Sequence, residues 1–487
     1  MEQNISMQTK HVKTIHKELL LNGGDLDLYL DLFLTDENGK TEKVLTKKAD
    51  SLLANFLRML YIQMGRDIRD NVMGGTFYTL RNTITAATPS SNITSISAGV
   101  GNKIRLTFQN SVINSSDTTG LITLGGFQGI SIDGQYTFTR ISDWVIDLEG
   151  TTYSAGWTTG TGGVAIYIPV TKIGNPSYQT FYSQGILVGS GSTAVAVDDQ
   201  LLEKQIPDIS TQGGLTYNTS TVSQDTSDAT SAQITFTRTF TNNTPNTTQV
   251  NEIGMLMYGG VSGTNYYTYL VMRDVIAGGV NVATGKTLTV NYRIKTTLGT
   301  GTDPGGFLAS FMRLLYRMCS RVQRAVFDIN NTSRSYREDA TTFNTIKNGG
   351  MNKTGYYDEE EGYKHGIVIG TGNTAVSMSD YYLGTPIVHG TGSGQMLYYG
   401  GFAEGFTVGA GYAQFNISKA IENNSGGTIT VKEYILTGNS DNNTSSATDQ
   451  WTYPRYLYTL TRNVLTTPVN VLDGEILKVV YTVKVVV

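Results

Sequence analysis

Few residues in this chain are of the types that carry out catalysis or bind metal ions. The 487 residues include 4 His and 1 Cys. Zinc sites draw their ligands mainly from Cys and His at short spacing, and only His11 and His16 lie close together in the sequence. His365 and His389 lie in glycine-rich surroundings, and Cys319 lies in an apolar stretch far from any His. We interpret all five as ordinary core and surface residues and predict no metal ligand and no nucleophile among them.

Two glycine-rich motifs superficially resemble phosphate-binding loops, GSGSTAV at 189–195 and GTGNTAV at 370–376. A P-loop would end in Gly-Lys-Ser/Thr and open a helix. A dinucleotide fingerprint needs a third Gly at a helix start and a later acidic partner. Here each motif follows an apolar run and precedes Thr-Ala-Val, which is typical of a strand, a turn and a second strand. We predict turns in which Gly tolerates a positive φ, and no bound cofactor.

An acidic run and a set of aromatic residues are the remaining candidates for chemistry. Asp358–Glu361 is interpreted as a solvated charge run, with calcium binding or carboxylate catalysis as the alternatives. Trp144 and Trp157, with Trp451 and 29 Tyr, are either core and interface residues or sugar-stacking platforms. The sequence has no EF-hand loop, Gly-x-Ser-x-Gly elbow or His-Glu-x-x-His motif. We therefore predict that the protein is not an enzyme and assign no catalytic residue.

Composition favours strands and turns and excludes several classes of protein. Charged residues make up 16%, against about a quarter in an average soluble chain, and there are 55 Gly. The net charge of −4, with no basic stripe, argues against nucleic-acid binding by phosphate neutralisation. A single Cys excludes an intrachain disulfide. No apolar run approaches the roughly 20 residues of a membrane span, and the first residues lack a secretory signal, so we expect folding in a cytoplasm.

Three blocks of sequence recur in the same order, which indicates a tandem duplication. Residues 53–61 match 308–316 at an offset of 255, residues 185–202 match 366–383 at 181, and residues 273–294 match 462–483 at 189. The fall from 255 to 181 means that the first repeat carries 74 additional residues after its helix. The rise to 189 places about eight additional residues in the polar GNSDNNTSSATDQ stretch of the second repeat.

These offsets predict the domain organisation. We expect an N-terminal arm at 1–18, a first repeat at 19–298 with an inserted β-module at 91–163, a linker at 299–305 and a second repeat at 306–487. Alternating apolar residues predict a strand over 19–35, followed by an Asn38-Gly39 hairpin turn and a return at 42–45. Apolar spacing of three and four predicts helices over 51–72 and 306–327. The fold class is therefore mainly β: two tandem β-sandwich repeats, each with one amphipathic helix, plus a small β-barrel-like module inserted in the first repeat.

The predicted helices and the C-terminal strand suggest contacts between subunits. The helices carry arginines that either face solvent or form salt bridges to a neighbouring subunit: Arg58, Arg66, Arg69, Arg313, Arg317, Arg321 and Arg324. The valine-rich C-terminus is expected inside a sheet, because its counterpart ends the first repeat. The second repeat lacks a leading strand pair, so its sheet has an edge for the N-terminal strands of the first repeat or of an adjacent subunit. Residues 1–18 are predicted to order only on contact with a neighbour.

Two parts of the chain resemble structural proteins of tailed bacteriophages. Residues 120–163 resemble a small β-barrel module of phage tail and virion proteins, through Gly129, Ile132, Gly134, Tyr136, Thr137, Leu148, Gly150, Thr151, Tyr153 and Gly156; the usual His-Gly-Leu near its start is missing. The duplicated unit is similar to units in virion proteins of phages that infect Bacteroidetes, the crAss-like phages among them. The shared elements are the LAxFxRxLY helix, GxGxTAV, FTNN, NEIG and a closing RDV…GxxLxVxY.

The resemblance implies a virion structural subunit that is assembled in the host cytoplasm. The expected role is a homo-oligomeric ring of the head–tail connector or tail barrel, with a docking surface for neighbouring rings or fibres. Its partners would be copies of itself and other virion proteins, without a membrane and without direct sequence-specific nucleic-acid binding. The alternative is a tail-fibre, collar-fibre or receptor-binding component, in which the inserted module binds glycan. Sixfold or twelvefold symmetry would indicate a ring, and threefold symmetry a fibre.

Overall fold

A computed structural model describes most of both repeats. The described residues are 11–21, 24–49, 52–65, 91–109, 119–125, 134–142, 144–155, 164–168, 185–199, 202–206, 208, 214–261, 265–299, 305–320, 325–335, 363–441 and 455–487. Within them the chain is mainly β with two α-helices, which confirms the predicted fold class.

Besides a short 3₁₀ helix at Val100–Asn102, the described residues up to the end of the first repeat form one α-helix and sixteen strands. They are β1 (Val12–Leu21), β2 (Asp27–Thr35), β3 (Thr41–Ala49), α1 (Ala54–Gly65), β4 (Ser91–Ala98), β5 (Ile104–Phe108), β6 (Thr119–Gly125), β7 (Gly134–Ser142), β8 (Val145–Leu148), β9 (Val164–Ile168), β10 (Gly185–Gly189), β11 (Thr216–Tyr217), β12 (Thr221–Asp225), β13 (Ser231–Thr241), β14 (Thr248–Val261), β15 (Asn265–Val282) and β16 (Thr287–Thr297).

The described part of the second repeat contains one helix and nine strands. They are β17 (Gly305–Phe307), α2 (Ala309–Ser320), β18 (Ala325–Phe327), β19 (Ser333–Ser335), β20 (Gly366–Gly370), β21 (Leu397–Gly409), β22 (Tyr412–Glu422), β23 (Ile429–Asp441), β24 (Arg455–Val471) and β25 (Ile476–Val486). Strand β17 begins at Gly305, the last residue of the predicted linker. The polar stretch expected to hold the additional residues begins in the last four residues of β23, and its remainder, residues 442–450, lies outside the described residues.

The elements of the two repeats correspond at the offsets that the sequence indicates. Helices α1 and α2 are related by 255 residues, β10 and β13 match β20 and β22 at 181, and β16 matches β25 at 189. Single backbone contacts correspond as well. The Leu53 N–H donates to the Val271 carbonyl, and the Leu308 N–H donates to the Leu460 carbonyl, both at 2.9 Å. The two repeats therefore share one fold down to individual hydrogen bonds.

Among the described residues, each repeat contributes strands to two main sheets, besides the inserted module of the first repeat and a two-stranded sheet of β18 and β19 in the second. In the first repeat these are β10-β14-β15 and β11-β13-β16-β2-β3, with β12 paired to β13. In the second they are β17-β24-β23-β20 and β1-β25-β22-β21. Burial alternates along β13 and β16, as expected for strands with one face against a core. Buried residues from both repeats form one continuous hydrophobic core.

The two helices are exchanged between the repeats. Helix α1 packs on β15 of its own repeat and on β21 and β22 of the other, whereas α2 packs on β24 and on β12 and β13. The Tyr61 ring lies 5.4 Å from Phe406, and the Tyr316 hydroxyl donates to the Val222 carbonyl at 3.3 Å. Because equivalent surfaces meet in both directions, the contact is isologous, like that of a twofold dimer. The helices thus face equivalent strand environments, as the duplication predicts.

Strand β1 fills the sheet edge of the second repeat within the same chain. It pairs in parallel with β25 from Val12 to Leu21, so β25 is interior to its sheet, as predicted. The prediction that residues 1–18 order only on contact with a neighbour is wrong for residues 12–18. The physical reason is burial, since Ile15, Leu19 and Leu21 lie in the core. Residues 1–10 lie outside the described part.

The predicted local elements are confirmed with shifted boundaries. The expected strand over 19–35 is two strands, β1 and β2, which belong to different sheets. The hairpin turn between β2 and β3 is present, with Gly39 at φ 78°. The described helices, Ala54–Gly65 for α1 and Ala309–Ser320 for α2, lie within the predicted ranges, and residues 66–72 and 321–324 lie outside the described residues. Residues 325–327, predicted to be helical, form β18 instead.

The inserted module is a closed barrel of six strands in the order β4-β5-β8-β7-β6-β9. It has its own apolar core, which includes Leu106, Phe138 and Ile146. The barrel extends beyond residue 163, the predicted end of the insert, because β9 closes it by pairing with both β4 and β6.

Excision of residues 91–168 should leave the duplicated body folded, because the second repeat folds without such a module. Circular dichroism and thermal melting should show a cooperative transition close to that of the full chain. Excision of 91–163 is the matched control. It leaves the apolar strand β9 without partners, so we expect aggregation. A 91–168 variant that is globally unfolded would contradict the autonomy of the barrel.

Candidate functional site: the glycine turns and their buried ion pairs

The first glycine turn covers a carboxylate that belongs to the protein itself. The turn follows β10, and Glu252 reaches it from β14 with its side chain fully buried. Its Oε1 accepts hydrogen bonds from the backbone N–H groups of Gly191 at 3.1 Å and Lys204 at 2.7 Å, and its Oε2 accepts from the Glu203 N–H at 3.0 Å. The loop therefore already holds an anion where a phosphate-binding loop would hold a phosphate.

A buried arginine completes this network. Arg273 on β15 is 2% exposed and donates from Nε to Glu252 Oε2 at 3.0 Å and from Nη1 to Asp199 at 2.7 Å. Its Nη2 donates to the carbonyl and hydroxyl oxygens of Thr193. Burial lowers the pKa of Arg273, but hydrogen bonds and charges from Asp199 and Glu252 outweigh burial and place the pKa above its ordinary value. The guanidinium thus ties two strands to the turn.

The second repeat contains the same network. Glu433 Oε1 accepts from the Gly372 N–H at 3.1 Å, and Arg462 donates to Glu433 and to Asp380, both at 2.7 Å. Nη2 of Arg462 contacts the Thr374 carbonyl at 3.1 Å, as Arg273 contacts Thr193 at 3.2 Å. The agreement shows that the sequence fixes this arrangement independently in each repeat.

The glycines of the turns are required by close approach. A Cβ on Gly189 or Gly191 would lie 2.5 Å from Glu252 Oε1, and one on Gly372 would lie 2.3 Å from Glu433 Oε1. None of these glycines has a positive φ. The expectation that Gly is present for a positive φ is therefore wrong at these positions. The missing side chain makes room for a carboxylate against the backbone.

A second structural motif is the asparagine that directly follows β13 in the first repeat and β22 in the second. Asn242 and Asn423 are fully buried. Their amides donate to the carbonyls of Val282 at 2.6 Å and Val471 at 2.7 Å. The oxygen of Asn242 also accepts from the Thr244 N–H at 2.9 Å. These residues satisfy turn backbone groups that would otherwise be buried without partners.

The repeats differ in the type of one buried cationic side chain, which lies outside the repeated sequence motifs. Arg238 on β13 donates to the carbonyls of Asn218 at 2.8 Å and Ile186 at 3.0 Å. At the equivalent place in β22, Lys419 donates to the carbonyls of Tyr363 at 2.7 Å and His365 at 2.8 Å. Burial lowers the pKa of Lys419 to about 7.

The surroundings of this cation differ in charge. Near Arg238, the Asp208 carboxylate accepts from the Tyr217 N–H at 2.8 Å, and the charge of Arg238 lowers the Asp208 pKa, although burial raises it more. In the second repeat His389 takes the place of Asp208 and its Nδ1 accepts from the Tyr398 N–H at 3.1 Å. The second repeat thus replaces a carboxylate with an imidazole beside a buried cation.

The histidines and the other sequence candidates lie apart from one another. His11 is bonded to Glu475 and His16 to Thr482, both along the β1–β25 pair. His365 is half-buried, and desolvation and the charge of Lys419 lower its pKa to about 4. Cys319 lies on α2. Among the described residues no group of three or more His, Cys, Asp or Glu is placed to hold a metal ion. Asp358–Glu361, Trp157 and Trp451 lie outside the described residues, and Trp144 is 47% exposed on the barrel.

The helix arginines that the structure describes face the opposite repeat. Arg58 lies over the Phe406 ring at 5.5 Å, and Arg313 donates to the Thr226 hydroxyl at 3.3 Å. Burial lowers the pKa of Arg313. The interpretation as fully solvated faces is therefore wrong for these two arginines, because both are half-buried against the opposite repeat of the same chain. Salt bridges to a neighbouring subunit stay a prediction. The other helix arginines cannot be compared in this way. Four of them lie outside the described residues, namely Arg66, Arg69, Arg321 and Arg324, and the side chain of Arg317 is likewise not described.

Comparison with known proteins adds no relative. No protein-family model matches the chain, and no curated protein matches it either. Among the described helices, neither has the length and apolar character needed to cross a bilayer.

Proposed function

We propose that this chain is a structural subunit of a tailed-phage virion. It forms a ring of the head–tail connector or tail barrel and offers a docking surface to neighbouring rings or fibres. The proposal carries forward the resemblance of residues 120–163 and of the duplicated unit to phage virion proteins.

The observation that carries the proposal is the use of the repeated motifs inside the fold. The GxGxTAV turns bind Glu252 and Glu433, the paired asparagines close turns, and the LAxFxRxLY helices join the repeats. Each of these repeated motifs therefore stabilises the fold. Two interlocked repeats that share one core make a rigid block, and a rigid block suits a particle component whose work is assembly.

The location of the chain in a phage particle tests this proposal. Particles of a tailed phage that encodes this sequence should contain the chain by mass spectrometry. Cryo-electron microscopy should then place it in a sixfold or twelvefold ring on the tail axis. Threefold copies on a fibre would favour the alternative of a fibre or receptor-binding component. Absence of the chain from purified particles would overturn both.

A further inference from the structure

The two glycine turns differ in one side chain that binds the loop. In the first repeat Glu203 Oε2 accepts hydrogen bonds from the backbone N–H groups of Ser192 at 2.6 Å and Thr193 at 2.7 Å. These bonds, with that from the Thr193 N–H as the largest cause, lower the Glu203 pKa. The first turn therefore binds two carboxylates, Glu252 on its buried side and Glu203 on its exposed side.

In the second repeat the residue at the place of Glu203 is Gly384. Its backbone is placed alike, since the Gly384 N–H donates to Glu433 Oε2 at 3.2 Å and the Glu203 N–H donates to Glu252 Oε2 at 3.0 Å. The exposed N–H groups of Asn373 and Thr374 correspond to those that bind Glu203. Within the described part of the chain, no acceptor lies within hydrogen-bond distance of either group.

A side chain at position 384 would start close to the exposed side of the second turn. A Cβ on Gly384 would lie 3.3 Å from Thr374 Oγ1, 3.6 Å from Glu433 Oε1 and 3.8 Å from Arg462 Nη2, so the Thr374 hydroxyl would have to move slightly to admit it. Both networks contain one buried arginine and two acidic partners. The first repeat has Glu203 and the adjacent Lys204 at this turn, where the second repeat has Gly384 and Thr385, so the difference between the turns lies in the missing side chain and not in net charge.

We propose that the Asn373–Thr374 backbone of the second repeat is a binding site for one carboxylate of an acidic peptide segment. That carboxylate would take the place that Glu203 fills in the first repeat. The chemical class follows from the chain itself, because the same loop holds a glutamate side chain in the other repeat. The inference rests on these two loops alone and does not depend on the proposed function.

The experiment uses the full chain labelled with ¹⁵N-threonine, so that one spectrum reports both Thr374 and Thr193. Sodium acetate is the carboxylate probe, and it replaces sodium chloride at constant ionic strength. We expect a saturable downfield shift of the Thr374 amide proton and no such shift at Thr193, whose donor is already bonded to Glu203. A parallel titration with inorganic phosphate and one with a short glutamate-containing peptide distinguish the source of the anion.

Two variants make matched controls. Gly384→Glu supplies the missing side chain, so acetate binding at Thr374 should weaken by at least about tenfold. Glu203→Gly removes it from the first repeat, so Thr193 should become responsive to acetate. The remaining threonine amides report whether each variant is folded. If Gly384→Glu does not fold, Glu203→Gly still tests the site.

Some results would overturn the proposal. A Thr374 amide that moves no more than other exposed threonine amides would do so, as would equal responses to acetate and chloride, which indicate an adventitious ion only. Tighter binding of phosphate than of the glutamate peptide would overturn the acidic-peptide assignment. None of these results depends on whether the chain is found in virions.

Discussion

Replacement of Arg462 by Met should destabilise the protein by about 3–5 kcal/mol, the usual cost of breaking a buried ion pair by removing one partner. Glu433 is fully buried, and it would keep its backbone hydrogen bonds but lose its only neighbouring cation in the described network. The turn would also lose the guanidinium that joins it to Asp380 and Thr374. Urea unfolding of the full chain at neutral pH measures the loss.

The first repeat supplies a control for this prediction. Arg273→Met removes the equivalent contacts except one, because Arg273 donates to Glu252 from Nε alone and Arg462 donates to Glu433 from Nε and Nη2, so its effect should be similar or slightly smaller. Adding Glu433→Gln to Arg462→Met should recover part of the loss, because the uncompensated charge is removed while an oxygen remains for the loop N–H groups. Losses below about 1 kcal/mol for both arginines would show that the pairs do not hold the turns.

The fold could be predicted from the sequence wherever the information was local or repeated. The offsets relate corresponding strands and helices. Arg273 and Arg462 recur in a matched block, and Glu252 and Glu433 recur at the offset of 181 outside the blocks. Such recurrence of charged residues at equivalent positions is the signal that points to the ion-pair networks. Their joint geometry was not evident, because the partners come from strands far apart in the sequence.

The exchange of helices and the place of β1 could not be predicted in the same way. An amphipathic helix presents the same apolar face whether it packs on its own sheet or on an equivalent one. Strand β1 has only a few apolar residues, Ile15 and Leu19 among them, and the sheet that buries them lies at the other end of the chain. Periodicity predicts that a segment is buried and does not specify what covers it.

The stability of the second repeat should rise with pH between 7 and 9, because Lys419 is buried. Its pKa is lowered to about 7 by burial, whereas a lysine in the unfolded chain titrates near its ordinary value of 10.5. Between these values the unfolded state binds more protons than the folded state, so the contribution to stability increases with pH. For this window the increase is about 2 kcal/mol. Chemical denaturation of the full chain at a series of pH values measures it.

The groups near Lys419 whose pKa is shifted do not titrate between pH 7 and 9. They are the Tyr398 ring at 5.1 Å, the carbonyls of Tyr363 and His365, and the His365 imidazole, and the His389 ring lies 6.3 Å from the Tyr398 ring. Burial raises the pKa of Tyr398 far above its ordinary value, so it does not titrate below pH 9. The pKa of His365 is about 4, so its contribution is lost as pH falls from about 6.5 to 4, outside the window. Lys419→Met should abolish the rise in stability between pH 7 and 9. It should also lower stability by the same amount at every pH, because the carbonyls of Tyr363 and His365 lose their hydrogen-bond donor.

The first repeat supplies the decisive comparison for this second prediction. His389→Asp should place a carboxylate where Asp208 lies near Arg238, which raises the Lys419 pKa towards its ordinary value and flattens the rise with pH. Asp208→Asn should destabilise without adding any slope between pH 7 and 9, since an arginine does not lose its proton there. A His389→Asp variant that keeps the full pH dependence would mean that Lys419 is not the titrating group. The contrast between the repeats would then be one of packing, not of charge.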